Sequence, residues 1–144
     1  MSKKVVLAFS GGLDTSFCVP YLKEQGYEVH TVMVNTGGFS EEEEKTIEAR
    51  ALHLGAASHK NVNAVDTYYS KGIKYLIYGN ILKNATYPLS VSSERVFQAL
   101  EVLKHVKEIG ADAVAHGSTG AGNDQVRFDI VFEILAPEVE IIAP

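Results

Sequence analysis

Two glycine-rich stretches carry the chemistry legible in this chain: Ser10-Gly11-Gly12-Leu13-Asp14-Thr15-Ser16 and His116-Gly117-Ser118-Thr119-Gly120-Ala121-Gly122-Asn123-Asp124. Each follows an apolar run that reads as a strand and precedes a helix-like segment. A loop at such a junction leaves backbone N–H groups unpaired, with the positive end of the next helix behind them, so a phosphate chain is held without a lysine. The first loop lacks the lysine and spacing of a Walker A motif and also the three spaced glycines of a dinucleotide fold. Kinase, simple NTPase and dehydrogenase chemistry therefore recede. What remains is a pair of glycines that lets backbone approach a pyrophosphate, and three hydroxyls that donate further hydrogen bonds. Asp14 reads equally well as a partner for magnesium or as a cap of its turn. With no obvious nucleophile or dedicated general base, catalysis here would rest on alignment and charge neutralisation.

Holding two such loops on one rim requires an ordered scaffold, and the composition supplies one. The chain has 144 residues, 46% hydrophobic and 22% charged, with a net charge of −5, which matches a single globular domain. Too few clustered cations remain for a nucleic-acid binder. The single Cys18 forms no internal disulfide, and the sequence shows neither a signal-like start nor a membrane-length apolar run, so a cytoplasmic protein without membrane contact is expected. Cys18 reads as a small core residue.

The pattern alternates strand and helix. Val5 to Phe9 reads as a strand buried on both faces, and Leu13 to Gln25 as a helix carrying Leu13, Phe17, Tyr21 and Leu22, kinked at Pro20 and stopped by Gly26. Glu28 to Val34 reads as a strand followed by the Asn35-Thr-Gly-Gly loop. Ser40 and Glu43 form a capping box that opens a helix through Leu54, in which the acidic run 41–44 suits the first turn. A short strand within Ala56 to Val65, a helix over Asp66 to Tyr78 and a rim loop over Gly79 to Ser93 come next. Glu94 to Ile109 is a helix with an apolar stripe of Val96, Ala99, Leu100, Leu103 and Val106, stopped by Gly110. Asp112 to His116 reads as a strand, Gln125 to Leu135 as a helix and Val139 to Ala143 as a final strand. The expected fold is α/β: a parallel sheet of about five strands with helices on both faces, and ligands bound beyond the carboxyl ends of the strands. His30, His53, His59 and His105 show no metal-ligand spacing, while His116 abuts the second loop.

Ser10 to Ser16 resembles the pyrophosphate-binding signature of the ATP pyrophosphatase superfamily, of adenine nucleotide hydrolase-like fold. Together with Tyr87-Pro-Leu-Ser-Val-Ser92 and His116 through Phe128, it is similar to the amino-terminal domain of the argininosuccinate synthases over essentially the whole chain. The resemblance implies an ATP-dependent ligation of citrulline and aspartate to argininosuccinate, with release of AMP and pyrophosphate. It implies that Ala8, Phe9, Ser10, Gly11, Gly12, Leu13, Asp14, Thr15 and Ser16 line the ATP phosphates, that Val34 touches the adenosine side and that Gly117 also meets ATP. It implies aspartate binding by Thr119, Asn123 and Asp124, and citrulline binding by Tyr87, Ser92, Asn123 and Arg127. Mg2+ would accompany the nucleotide with no dedicated protein metal site, and the full-length enzyme would be a homotetramer. Independently of any resemblance, Thr, Asn and Arg side chains gathered at a glycine loop are suited to substrate carboxylates.

Several positions depart from the family's pattern. Val34 replaces a usual alanine, Asn35-Thr-Gly-Gly replaces a loop ending in Gly-Gln, Ala121 stands where lysine is common, and Ser93-Glu94 replace a more apolar pair. Family members also continue into a second domain, so residues 1–144 are expected to form the ATP-binding domain and to keep the fold without turning over alone. Two other readings stay open on the residues: a different adenylating member of the superfamily, and a non-catalytic nucleotide-binding module.

Overall fold

The computed structural model describes residues 2–118, 120 and 122–144. Its centre is an all-parallel five-stranded sheet of β1 (Lys4–Ala8), β2 (Glu28–Asn35), β3 (Ser58–Asn63), β6 (Ala113–His116) and β7 (Glu140–Ile142), in the order β3-β2-β1-β6-β7. The chain builds outward from β1 to β3, then returns to the other side of β1 to lay down β6 and β7. The strand order reverses between β1 and β6, the place where open α/β sheets form a ligand crevice.

Alternation along the strands divides the core into two layers. Val5, Leu7, Val29, Met33, Ala113 and Ala115 face α1 (Leu13–Glu24) and α2 (Glu41–His53), where Cys18, Val19, Leu22, Ile47 and Ala51 meet them. Val6, Val32, Val34 and Val114 face the opposite layer, α5 (Ser90–Ile109) and α6 (Asn123–Leu135), against Ala99, Val102, Val106, Phe128 and Phe132. The expected fold class holds, helices on both faces included.

Several local expectations are corrected. Of the expected packing stripe of α1 only Leu22 is buried: Leu13 is 86% and Phe17 60% exposed, and Cys18 and Val19 join Leu22 in the core. α1 runs on through Pro20 to Glu24 as one helix. Cys18 is a core residue as expected, its thiol pushed up by burial and then by the charge of Asp14, with Sγ donating to the Asp14 carbonyl. The Ser40/Glu43 capping box is present.

The 66–78 helix is helical from residue 65 but in three pieces: α3 (Val65–Tyr68), a π-helical turn over Tyr69–Ile73 and α4 (Lys74–Tyr78). Among the aromatic residues of this stretch only Tyr68 is buried, its ring 5.0 Å from that of Phe97. The expected 79–93 loop contains an antiparallel hairpin, β4 (Leu82–Lys83) with β5 (Tyr87–Pro88). Its end is also taken up by α5, which starts at Ser90 rather than Glu94. The stripe of α5 holds at Ala99, Leu103 and Val106, with Leu100 packed beside them, but Val96 is 37% exposed and Val102 takes a further core place. Among the described residues no helix is long and apolar enough to cross a membrane.

Phe132 is fully buried in the α5/α6 layer against His116 and Phe128. Phe132→Ala should cost about 3–5 kcal/mol of unfolding free energy in urea titrations, whereas the half-exposed Ile130→Ala on the same helix should cost well below that.

Candidate functional site

Ala8 pairs with His116 at the carboxyl ends of β1 and β6, so the two glycine loops leave the sheet side by side. They touch: a Cβ on Gly117 would stand 2.9 Å from Thr15 Cγ2 and 3.1 Å from the Thr15 amide nitrogen. The first loop is tied internally by long contacts between the Ser10 and Thr15 hydroxyls at 3.3 Å and from the Gly12 N–H to Ser10 Oγ at 3.4 Å. Gly11 has φ +73°, and a Cβ there would meet Ile47 Cγ1 at 2.9 Å, so glycine is required on both counts. Arg50, on α2, donates from its guanidinium to the Gly11 carbonyl and puts a cation behind the loop.

The helices that follow β1 and β6 both begin on glycine, Gly12 for α1 and Gly122 for α6, and neither glycine gives a side-chain cap. α2, which begins just after Phe39 of the cleft wall, has a complete capping box. At α1 the first-turn amides have no side-chain cap, an arrangement that an anionic ligand satisfies.

The opposite wall is the first turn of α5. Two clamps fix it: the Tyr68 hydroxyl donates to the Ser90 carbonyl at 2.6 Å, and Thr36 Oγ1 donates to Glu94 Oε1. From this turn Ser92 and Arg95 reach across to α6. Arg95 Nε donates to Asp124 Oδ2 at 3.1 Å, Arg127 Nη1 to Asp124 Oδ1 at 2.7 Å and Arg127 Nη2 to Ser92 Oγ at 2.9 Å. Burial raises the Asp124 carboxyl, but the hydrogen bonds and charges of Arg95 and then Arg127 outweigh it and leave it below the ordinary aspartate value. A carboxylate so depressed contributes stability above its unfolded pKa that is lost as pH falls through the lower folded one. It stays ionised at neutral pH, and each oxygen keeps a lone pair for a further donor.

These groups enclose a cleft of about 960 Å³, of the size that takes a nucleotide-like ligand. Of the residues singled out in the sequence, Ala8, Phe9, Ser10, Gly12, Leu13, Asp14, Thr15, Val34, Tyr87, Ser92, Gly117, Asn123, Asp124 and Arg127 line it. Gly11 and Ser16 do not: Gly11 is packed under Ile47, and the Ser16 hydroxyl is buried without a partner. Thr119, like Ala121, lies outside the described residues. Sequence reasoning missed Arg95, Gln98 and Phe39 in the cleft wall, and Arg50 behind it. Arg95 had a signal, since it falls three residues after Ser92, one helical turn along; Arg50 had none, being 39 residues from its partner. Among the described residues no group of three His, Cys, Asp or Glu gathers to hold a metal ion. His30, His59 and His105 are hydrogen-bonded to Ser58, Thr31 and Glu108, away from the cleft.

Residues 4–144 match the family described as the Arginosuccinate synthase N-terminal HUP domain. Among curated proteins, the argininosuccinate synthase of Xylella fastidiosa is 50% identical over 143 residues, covering 99% of this chain and 35% of that enzyme. The argininosuccinate synthase of Hyperthermus butylicus is 47% identical over 142 residues, covering 98% of this chain and 35% of that enzyme. The chain thus spans roughly a third of the length of the curated relatives it matches. Among solved structures, NMN synthetase from Francisella tularensis aligns with a TM-score of 0.63 at 8% identity, over 82% of this chain and 46% of that one. NH3-dependent NAD synthetase from Campylobacter jejuni aligns with a TM-score of 0.61 at 17% identity, over 83% of this chain and 48% of that one. At these identities the likeness is one of fold alone.

The loop contact is testable without a ligand. Gly117→Ala should force the two loops apart and lower unfolding free energy by about 1–3 kcal/mol, while Gly38→Ala, with open space around its Cβ, should change it by less than about 0.5 kcal/mol in the same denaturation series.

Proposed function

Because this chain belongs to the argininosuccinate synthase family, we propose that it forms the ATP-binding part of a ligase that joins citrulline to aspartate with release of AMP and pyrophosphate. The observation that carries the reading is the convergence of two uncapped helix starts and two touching glycine loops at the switch point of the sheet. A triphosphate laid across them meets backbone donors and helix dipoles, with Ser10 and Thr15 hydroxyls beside it. The nucleoside lies toward the ends of β1 and β2, where Val34 and Phe39 give the cleft an apolar wall.

The amino acids occupy the other half. Arg127, Asn123 and Ser92 supply donors for substrate carboxylates and carbonyls, and Tyr87 closes that side from the hairpin. Asp124, ionised and held by two arginines, is placed to accept from a substrate ammonium. Thr119 joins this set on the strength of the resemblance. In the reaction the citrulline ureido oxygen bonds to the α-phosphorus as the bond to pyrophosphate breaks. The aspartate amine then attacks the activated carbon, loses a proton and expels AMP. The residues of this chain act by alignment: backbone amides take the charge of the leaving pyrophosphate, and fixed side chains hold the ureido oxygen in line. Mg2+ would enter with the triphosphate and neutralise its charge, with Asp14, an open carboxylate in the cleft, as the nearest fit on the protein. The remaining length of the relatives would complete the amino-acid site, and a cytoplasmic, tetrameric enzyme of arginine biosynthesis is the whole that this reading describes.

The test is citrulline-dependent pyrophosphate release by the protein completed to the length of its relatives. In that protein Arg127→Ala should weaken citrulline binding by about 1.5–3 kcal/mol, read as a rise in KM, because one charge-assisted hydrogen bond to substrate is lost. Pyrophosphate release indifferent to citrulline, or an unchanged KM in the variant, overturns the reading.

A further inference from the structure

His116 is the last residue of β6, and its side chain is almost wholly buried, stacked on Phe128 at 5.6 Å and 21° and close to Phe132. A histidine among phenylalanines costs desolvation unless both ring nitrogens are used, and an aliphatic residue of similar volume would fill the space without that cost. Both nitrogens are used. The Ser118 backbone N–H points at Nδ1 at 3.2 Å, and Asp129 Oδ1 lies 2.9 Å from Nε2. A backbone N–H only donates, so Nδ1 must carry the lone pair, and the proton sits on Nε2, donating to Asp129.

We infer that His116 is a positioning residue for the second glycine loop: as the neutral Nε2–H tautomer it ties the Ser118 amide to Asp129 of α6 and so holds Gly117 against the first loop. The consequence for a nucleotide rests on the reading of the cleft given above, but the geometry does not. Gly117, the residue in contact with Thr15, sits between His116 and Ser118, so fixing the Ser118 amide fixes the direction in which the loop leaves the sheet. The other end of the brace lies on the helix that carries Asp124 and Arg127, so loop and amino-acid side chains are held in one frame. Asp129 sets the tautomer by taking the Nε2 proton.

Ring nitrogen NMR on the isotopically labelled chain should show His116 as the Nε2–H tautomer, with the Ser118 amide protected from exchange. Asp129→Ala, at a partly exposed position, should mix the tautomers and speed Ser118 exchange. His116→Asn keeps an acceptor near the place of Nδ1, and His116→Gln keeps a donor near that of Nε2. Measured with MgATP, His116→Asn should stay within about threefold of the parent affinity and His116→Gln should lose about tenfold, an order that thermal stability alone would not impose. A Nδ1–H tautomer, or Ser118 exchange unchanged in Asp129→Ala, overturns the inference. So does nucleotide affinity that tracks melting temperature whichever nitrogen is mimicked. If the parent chain binds no MgATP, the nucleotide reading fails by itself, and tautomer and exchange still decide for or against the brace.

Discussion

The pairing of β1 with β6 is the constraint on which the rest depends. These strands are more than a hundred residues apart in the chain, and their register, Ala8 opposite His116, places the last residue before each loop at the same height on the sheet. Once that is fixed, Gly117 is forced to within contact of Thr15, and only a residue without a side chain fits. The switch in strand order makes the crevice, and the glycines allow the crevice to close down to the dimensions of a phosphate chain.

Around this crevice the fold divides the work between backbone and side chains. The side of the first loop presents amides and helix ends, with Arg50 tethering the loop from behind. The side of α5 and α6 presents charged side chains, and these are paired to one another as Arg95–Asp124–Arg127–Ser92. Such a network keeps each long side chain in one rotamer, so a substrate meets an ordered surface and less entropy is lost on binding. The clamps from Tyr68 and Thr36 serve the same end, since they fix the turn of α5 from which two members of the network project.

What could be read in the sequence follows this division. Strands buried on both faces, glycine stops and the Ser40 capping box are local signals, and they gave the parallel sheet and the order of its elements. The two loops were legible because their glycines sit at strand-to-helix junctions. Misplaced features are those decided by distant neighbours. Leu13 and Phe17 have the spacing of a buried stripe, yet α1 meets the sheet through Cys18, Val19 and Leu22, in one cluster with Val5, Leu7 and Val29. Ser90 to Ser93 look like loop residues, but this turn is anchored from a distant part of the chain by the Tyr68 hydroxyl, which donates to the Ser90 carbonyl. Arg95 and Arg50 escaped notice because a lone arginine on a helix has no pattern until its partner is in place.

The departures from the family's pattern bear on the backbone half and the side-chain half differently. The Asn35-Thr-Gly-Gly loop is held by Asn35 itself, whose amide donates to the Phe39 carbonyl and to Glu44 while its oxygen accepts from the Gly37 and Phe39 N–H groups. The loop therefore carries its own support, and its shape does not require the residues found elsewhere in the family. Val34 faces the α5/α6 layer with its methyls almost wholly buried, so the extra bulk over alanine is taken up by the core as well as by the cleft wall. Substitution is absorbed where a site is made of backbone, because any side chain that keeps the loop's course keeps its amides in place. Where the cleft wall is made of Asp124 and the two guanidiniums around it, the side chains themselves set its charge, and a change of residue there changes the chemistry the wall can offer.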